Sequence, residues 1–203
     1  MKQNLVLDFD GTLVDAGPRD YQIYVDILDT YGCQPLPYGE YWALRRESTP
    51  ISEVLTRSGT GERAIEYVAT RLERCERDEY LALDALFPDV LESLEQLTQR
   101  YMLFIVSARL RGPALKAEIA RLGLSDYFED IIVTNGSKTE AIQLLDPVVA
   151  VVGDTEHDVQ AAKSLGLVSI AVTTGIRSPQ ILFRLSPEHV VSNFSEATKL
   201  LCA

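Results

Sequence analysis

The sequence predicts an α/β fold: a doubly wound parallel sheet carrying an inserted all-helical module. Three observations carry that expectation. From about residue 100 onward, short apolar runs rich in Val and Ile alternate with helical patterns. These runs are continuous rather than alternating with polar residues, so both faces of the sheet must be covered. A long stretch after the first run, 16 to 85, has helical texture and no strand-like run. The expected organisation is a sheet-based core of residues 1–15 and 86–203 and a helical module of 16–85.

The first strand lies in "LVLDFDGTLVD", residues 5 to 15. Its apolar run is broken by Asp8 and, two positions on, by Asp10. "DG" is also a hairpin signal, with LVLDF and TLV as possible arms. The helical module has breaks at "CQPLP" (33–37), "STP" (48–50) and "SGTG" (58–61), and it rejoins the core near Phe87 and Pro88. The later strands are expected at MLFIVS (102–107), DIIVT (130–134), VVAVVG (148–153) and LVSIAVT (167–173). Between them, Pro113 opens a helix that Gly123 closes. Ser137 and Glu140 have capping-box spacing at the start of a second helix. A third runs from about Glu156 to Leu165 and ends at Gly166.

Bulk composition narrows the partners. The 203 residues carry a net charge of -11 and 46% of them are hydrophobic, which supports one good-sized core, or one core plus a small accessory module. An acidic chain argues against non-specific nucleic-acid binding and against anionic membranes. An anionic substrate must then be drawn in by a local positive site. No apolar stretch approaches a membrane span, and no basic-then-apolar leader follows Met1. Cys33, Cys75 and Cys202 are odd in number and lack CxxC spacing, so reduced thiols and a cytoplasmic location are expected.

In doubly wound sheets, ligands bind beyond the carboxyl ends of the strands. Asp8 and Asp10 follow the first strand, Ser107 ends MLFIVS, and Asp154 follows VVAVVG. Lys138 opens the helix after DIIVT, where a cation opposes the helix dipole and implies an anionic partner. Asp158, four residues beyond Asp154, falls on the same face and is placed to share a cation or pair with Lys138. Each residue also has a plain reading. Asp10 can be a turn residue, Ser107 a loop hydroxyl, and Asp158 a first-turn acid. Asp154 can be a helix N-cap, with Thr155 as rival. Together, at successive strand ends, they point to one site.

The set "DFDGTLVD", the Ser of "IVSAR", the Lys of "GSKTEAI" and "GDTEHDVQAAKSLG" resembles the four signatures of the haloacid dehalogenase superfamily, in the family's order. "IAVTTG" (170–175) extends the likeness. The resemblance implies a Rossmann-like core, and a C1-type cap where the helical stretch is inserted. It implies Asp8 as a nucleophile forming an aspartyl-phosphate and Asp10 as general acid/base. Ser107 and Lys138 would hold the phosphoryl oxygens. Mg²⁺ would be held by Asp8, Asp154 and the Asp10 backbone carbonyl, with Asp158 in support; oxygen-only ligands suit that ion. The family's dehalogenases lack an acid at the Asp10 position, because a halide needs no proton and an alkoxide does.

The resemblance thus implies a Mg²⁺-dependent phosphatase acting on a small-molecule phosphate ester, similar to phosphoglycolate phosphatases. A phosphomutase of the β-phosphoglucomutase type shares the motifs. A non-catalytic binding or regulatory relative is disfavoured by the intact site residues. A response-regulator receiver would have its acidic pair adjacent and no room for the insert. A DxD glycosyltransferase site gives no reason for Lys138 and Asp154. In the helical stretch, Arg45 and Arg46 beside the single Trp42, and Arg19 near its start, are candidates to bind a second anionic group of the substrate. The competing reading is a solvated pair beside a core tryptophan. "SGTGER" lacks P-loop spacing, and His157 reads as an exposed helix-start residue. Tyr21, Tyr24, Tyr38 and Tyr41 suit either core packing or pairing with another subunit, so monomer and homodimer both stand.

Overall fold

A computed structural model describes residues 2–134, 137–145 and 147–203. Met1 at the start of the chain and Gly136 of "GSKTEAI" lie outside the described residues. The chain forms two compact units, 1–15 with 85–203, and 16–84. The strands are β1 (Gln3–Leu7), β2 (Val14–Asp15), β3 (Ala85–Leu86), β4 (Tyr101–Ser107), β5 (Phe128–Val133), β6 (Val148–Gly153), β7 (Val168–Val172) and β8 (His189–Val191).

Six of them form one sheet in the order β5-β4-β1-β6-β7-β8, and every pairing in it is parallel. From β1 the chain builds outward through β4 to β5. It then returns to the other side of β1 and builds through β6 and β7 to β8. The direction of winding reverses at β1, and the crevice of such a sheet opens at that reversal.

The hairpin expected at "DG" does not form between β1 and the residues after the turn. Leu13 and Val14 donate their N–H groups to the Phe9 carbonyl at 2.9 and 3.2 Å, and Gly11 turns the chain at φ +75. β2 then pairs antiparallel with β3, Val14 opposite Leu86 and Asp15 opposite Ala85. Both edges of β1 are already taken by β4 and β6, so no edge remains for a hairpin partner. The same ribbon places the boundary between the units at Asp84 and Ala85, one residue before the sequence expectation.

The smaller unit consists of α1 (Gly17–Tyr31), α2 (Tyr38–Arg46), α3 (Ile51–Arg57), α4 (Ala64–Arg74) and the short α5 (Asp78–Leu81). Its gaps fall at the three breaks read from the sequence. Ile23, Ile27 and Leu28 of α1 pack with Tyr41, Val54, Leu55 and Tyr67 in its own core. Tyr24 and Tyr41 stack there at 4.3 Å between centroids, and both are fully buried. Those two tyrosines are core residues of the unit.

In the larger unit the strands carry α6 (Val90–Arg100), α7 (Gly112–Arg121), α8 (Lys138–Gln143), α9 (Glu156–Ser164), α10 (Pro179–Arg184) and α11 (Phe194–Cys202). Strand side chains alternate between faces. Leu5, Leu7, Leu103, Ile105 and Val152 pack toward α6, α7 and α11. Val6, Val106 and Val151 pack with Ile142 of α8 and Ala161 and Ala162 of α9 on the other face. Covered faces explain why these strands read as unbroken apolar runs.

Candidate active site

Three strand ends meet where the winding reverses. The ladder continues one residue past β1, with the Asp8 N–H donating to the Val152 carbonyl at 2.8 Å. Asp8 is thereby fixed beside the end of β6, from which Asp154 follows directly. Ser107 closes β4 on the other flank of β1 and is 2% exposed. Lys138 is the first residue of α8, whose N-cap Ser137 accepts the Thr139 N–H at 3.1 Å. That bond goes to the second helical residue rather than to Glu140 of the expected capping box.

Lys138 binds two carboxylates at once: its Nζ lies 2.7 Å from Asp8 Oδ1 and 2.7 Å from Asp158 Oδ1. Asp158 turns its other oxygen to the helix start, accepting from Thr155 N at 3.1 Å and from Thr155 Oγ1 at 2.6 Å. Thr155, not Asp154, is therefore the N-cap of α9. Asp154 is released from capping. Its Oδ2 accepts the Ile176 N–H at 2.6 Å, and its buried Oδ1 has no hydrogen-bond partner among the described residues. Asp8, Asp154 and Asp158 each present an oxygen within 4.8 Å of the others, all three buried.

Three buried acids against one cation make a strongly unbalanced cluster. Burial, opposed by Lys138 and reinforced by Asp158 and Asp10, pushes the Asp8 carboxyl up to about 7. Burial, with the charges of Asp8 and Asp158, pushes Asp154 well above the ordinary carboxylate value. Burial alone would lower Lys138, yet Asp158 and Asp8 raise it, so it stays an ammonium. A partnerless buried carboxylate oxygen costs free energy unless something polar meets it. The cluster therefore suits a divalent cation, which supplies the missing positive charge.

Two glycines leave room for Asp154. A Cβ on Gly175 would sit 1.9 Å from Asp154 Oδ2, and one on Gly11 would sit 2.5 Å from the same atom. Asp10 behaves differently from the three acids. Its carboxylate belongs to a two-point clamp from Arg109, with Nε to Oδ2 at 2.8 Å and Nη2 to Oδ1 at 2.6 Å. Arg109 is 6% exposed. Arg109 is the arginine of "IVSAR", a functional residue that the sequence analysis does not single out; its place two residues past the strand end is the available signal.

The arginines proposed from the helical stretch are placed within that unit. Arg45 Nε lies 3.2 Å from Asp20 Oδ2, and Arg71 Nη2 lies 2.5 Å from Asp20 Oδ1. Arg19 Nε lies 3.3 Å from Asp84 Oδ1. Arg46 is half-buried at the end of α2. His157 is exposed, as expected.

Residues 5–172 match the family model described as haloacid dehalogenase-like hydrolase. The chain belongs to that family. It is an enzyme, a haloacid dehalogenase-like hydrolase. A phosphoglycolate phosphatase from Synechococcus elongatus is 32% identical over 96% of this chain and 94% of its own length. One from Rhodobacter capsulatus is 29% identical over 87% of each chain. The fold is shared with a haloacid dehalogenase-like family hydrolase from Streptococcus pneumoniae, at a TM-score of 0.80 and 20% identity over 98% of both chains. Among the described residues, no helix is long and apolar enough to cross a membrane.

Proposed function

We propose that this hydrolase is a Mg²⁺-dependent phosphatase that cleaves a small-molecule phosphate monoester through an aspartyl-phosphate on Asp8. The observation that carries the reading is the buried cluster at the sheet's reversal point: Lys138 bridges Asp8 and Asp158 while one Asp154 oxygen has no partner among the described residues. Asp8, Asp154 and the Asp10 backbone carbonyl would hold Mg²⁺, with Asp158 in support. The ion supplies charge neutralisation of a bound phosphate and of the carboxylate that attacks it.

This chain's residues then divide the work. Lys138 and Ser107 bind the phosphoryl oxygens and hold the phosphorus in line with Asp8. An Asp8 oxygen forms a bond to phosphorus as the bond to the ester oxygen breaks. The leaving oxygen takes a proton from Asp10 and departs as an alcohol. Asp10, now a carboxylate, accepts a proton from water as the water oxygen attacks phosphorus. The Asp8–phosphorus bond breaks and inorganic phosphate is released.

The names of the two curated relatives make 2-phosphoglycolate the first substrate to try. Specificity roles for Arg19, Arg45 and Arg46 belong to the same proposal, although the pairing of Arg45 with Asp20 and of Arg19 with Asp84 also gives those two a structural job. The three free cysteines suit a reducing, cytoplasmic setting. A screen of metabolite phosphate esters with Mg²⁺, read as released phosphate, tests the reading. Asp8→Asn and Asp10→Asn are each expected to lower hydrolysis at least 10³-fold, by loss of the nucleophile and of the proton donor. Full activity in Asp8→Asn would sink the mechanism.

A further inference from the structure

Asp10 is held by an assembly that the proposed chemistry does not itself require. The Arg109 guanidinium engages both of its oxygens, through Nε at 2.8 Å and Nη2 at 2.6 Å. Its third nitrogen, Nη1, binds Glu118 Oε2 at 2.5 Å, and the Glu118 side chain is 1% exposed in α7. The guanidinium carbon lies over the Phe9 ring, 5.2 Å from its centroid. Arg109 is therefore fixed on three sides, by a helix, by a ring of the first loop, and by the carboxylate itself.

A planar guanidinium bound through two parallel N–H···O bonds sets the plane as well as the position of its carboxylate partner. Lysine, a point charge, cannot do so. Asp10 is 29% exposed at its side chain, so a partner that engages both of its oxygens bears directly on the rotamer it holds.

We propose that Arg109, braced by Glu118, is a positioning residue that aims the Asp10 carboxyl group at the leaving oxygen of the ester. The inference rests on the reading of Asp10 as proton donor given above. When Asp10 shares a proton with the leaving group through one oxygen, the bond from Arg109 to the other oxygen still anchors the group. Proton transfer then depends on geometry that α7 and the loop after β4 supply, and not on Asp10 alone.

The consequence is selective. Losing the clamp should slow esters whose leaving group needs the proton and spare those whose leaving group is already a good anion. Phenyl phosphate and p-nitrophenyl phosphate are nearly the same shape, while p-nitrophenol is much the stronger acid. The measurement is kcat/KM for both esters with Mg²⁺, in wild type, in Arg109→Lys, and in the charge-balanced double variant Arg109→Gln with Glu118→Gln. The double variant removes both buried charges together, so it does not leave Glu118 unpaired.

The expected result is a rise of at least about tenfold in the ratio of p-nitrophenyl to phenyl phosphate hydrolysis, within the range that a positioned acid contributes. Arg109→Lys should show the same rise, since it keeps the charge and loses the fork. Added guanidinium chloride should bring the ratio back toward wild type in Arg109→Ala. Equal losses on both esters, or no loss on either, would overturn the positioning role and leave Arg109 a structural residue. Wild-type hydrolysis that persists in Asp8→Asn would instead overturn the phosphatase mechanism, and the clamp's purpose with it.

Discussion

Asp154 shows how single residues divide their bonds at this site. One oxygen is taken by the Ile176 amide and the other is left without a partner among the described residues, in a setting that is 1% exposed. The close approach of Gly175 makes that arrangement possible, and it yields a prediction. Gly175→Ala forces the Asp154 carboxylate to move, and displaced support of a ligand costs on the order of 10–100-fold in metal affinity. Calorimetric titration with Mg²⁺ checks this; an unchanged affinity would show that the site tolerates the shift. Asp8, Lys138, Asp154 and Asp158 were legible in the sequence because each is a charge placed where an apolar run or a helix start gives no local reason for one. Arg109 was not. A cation in a polar loop reads as solvated, and its partners Asp10 and Glu118 lie 99 and 9 positions away.

Among the elements, the helical unit is organised around a buried acid. Burial alone would raise the Asp20 carboxyl, but Arg71 and Arg45 hold it well below the usual carboxylate range, and the Tyr41 hydroxyl donates to it at 2.7 Å. Since its folded pKa lies below the unfolded value of about 3.9, its contribution is present above about pH 4 and is lost as the pH falls further. Asp20→Ala is expected to destabilise the unit by about 3 kcal/mol at pH 7, because two cations lose their partner. The single tryptophan, Trp42, sits in α2 and reports on this unit. Urea unfolding followed by its fluorescence should show that gap at pH 7 and a smaller one at pH 3. A gap independent of pH would mean the ion pairs contribute nothing. The helix boundaries of this unit were visible from Pro and Gly breaks, whereas the job of Arg45 was not. Its pairing with an acid on another helix depends on packing angles that periodicity does not specify.

For the whole molecule, a net charge of -11 means that an anionic substrate approaches against the overall field. Screening grows as the Debye length falls from about 30 Å at 0.01 M salt to about 8 Å at 0.15 M. Raising KCl across that range is therefore expected to increase kcat/KM for phosphate esters. A steep fall would show instead that the local positive charge of the site governs capture.

The parallel sheet, its buried faces and the order of the functional residues along the chain follow from sequence alone, because hydrophobic period and helix punctuation are local properties. Which strands become neighbours is not local. β1 lies between β4 and β6, so the reversal of winding falls on Asp8; that placement brings together Asp8, Lys138 at the start of α8, and the two acids that follow β6. The same placement left no free edge for the hairpin that "DG" suggested and gave Val14 its partner in β3. Tertiary structure alone decided that Asp10 would face Arg109, since a bidentate ion pair forms only where two distant segments fix the plane of both groups.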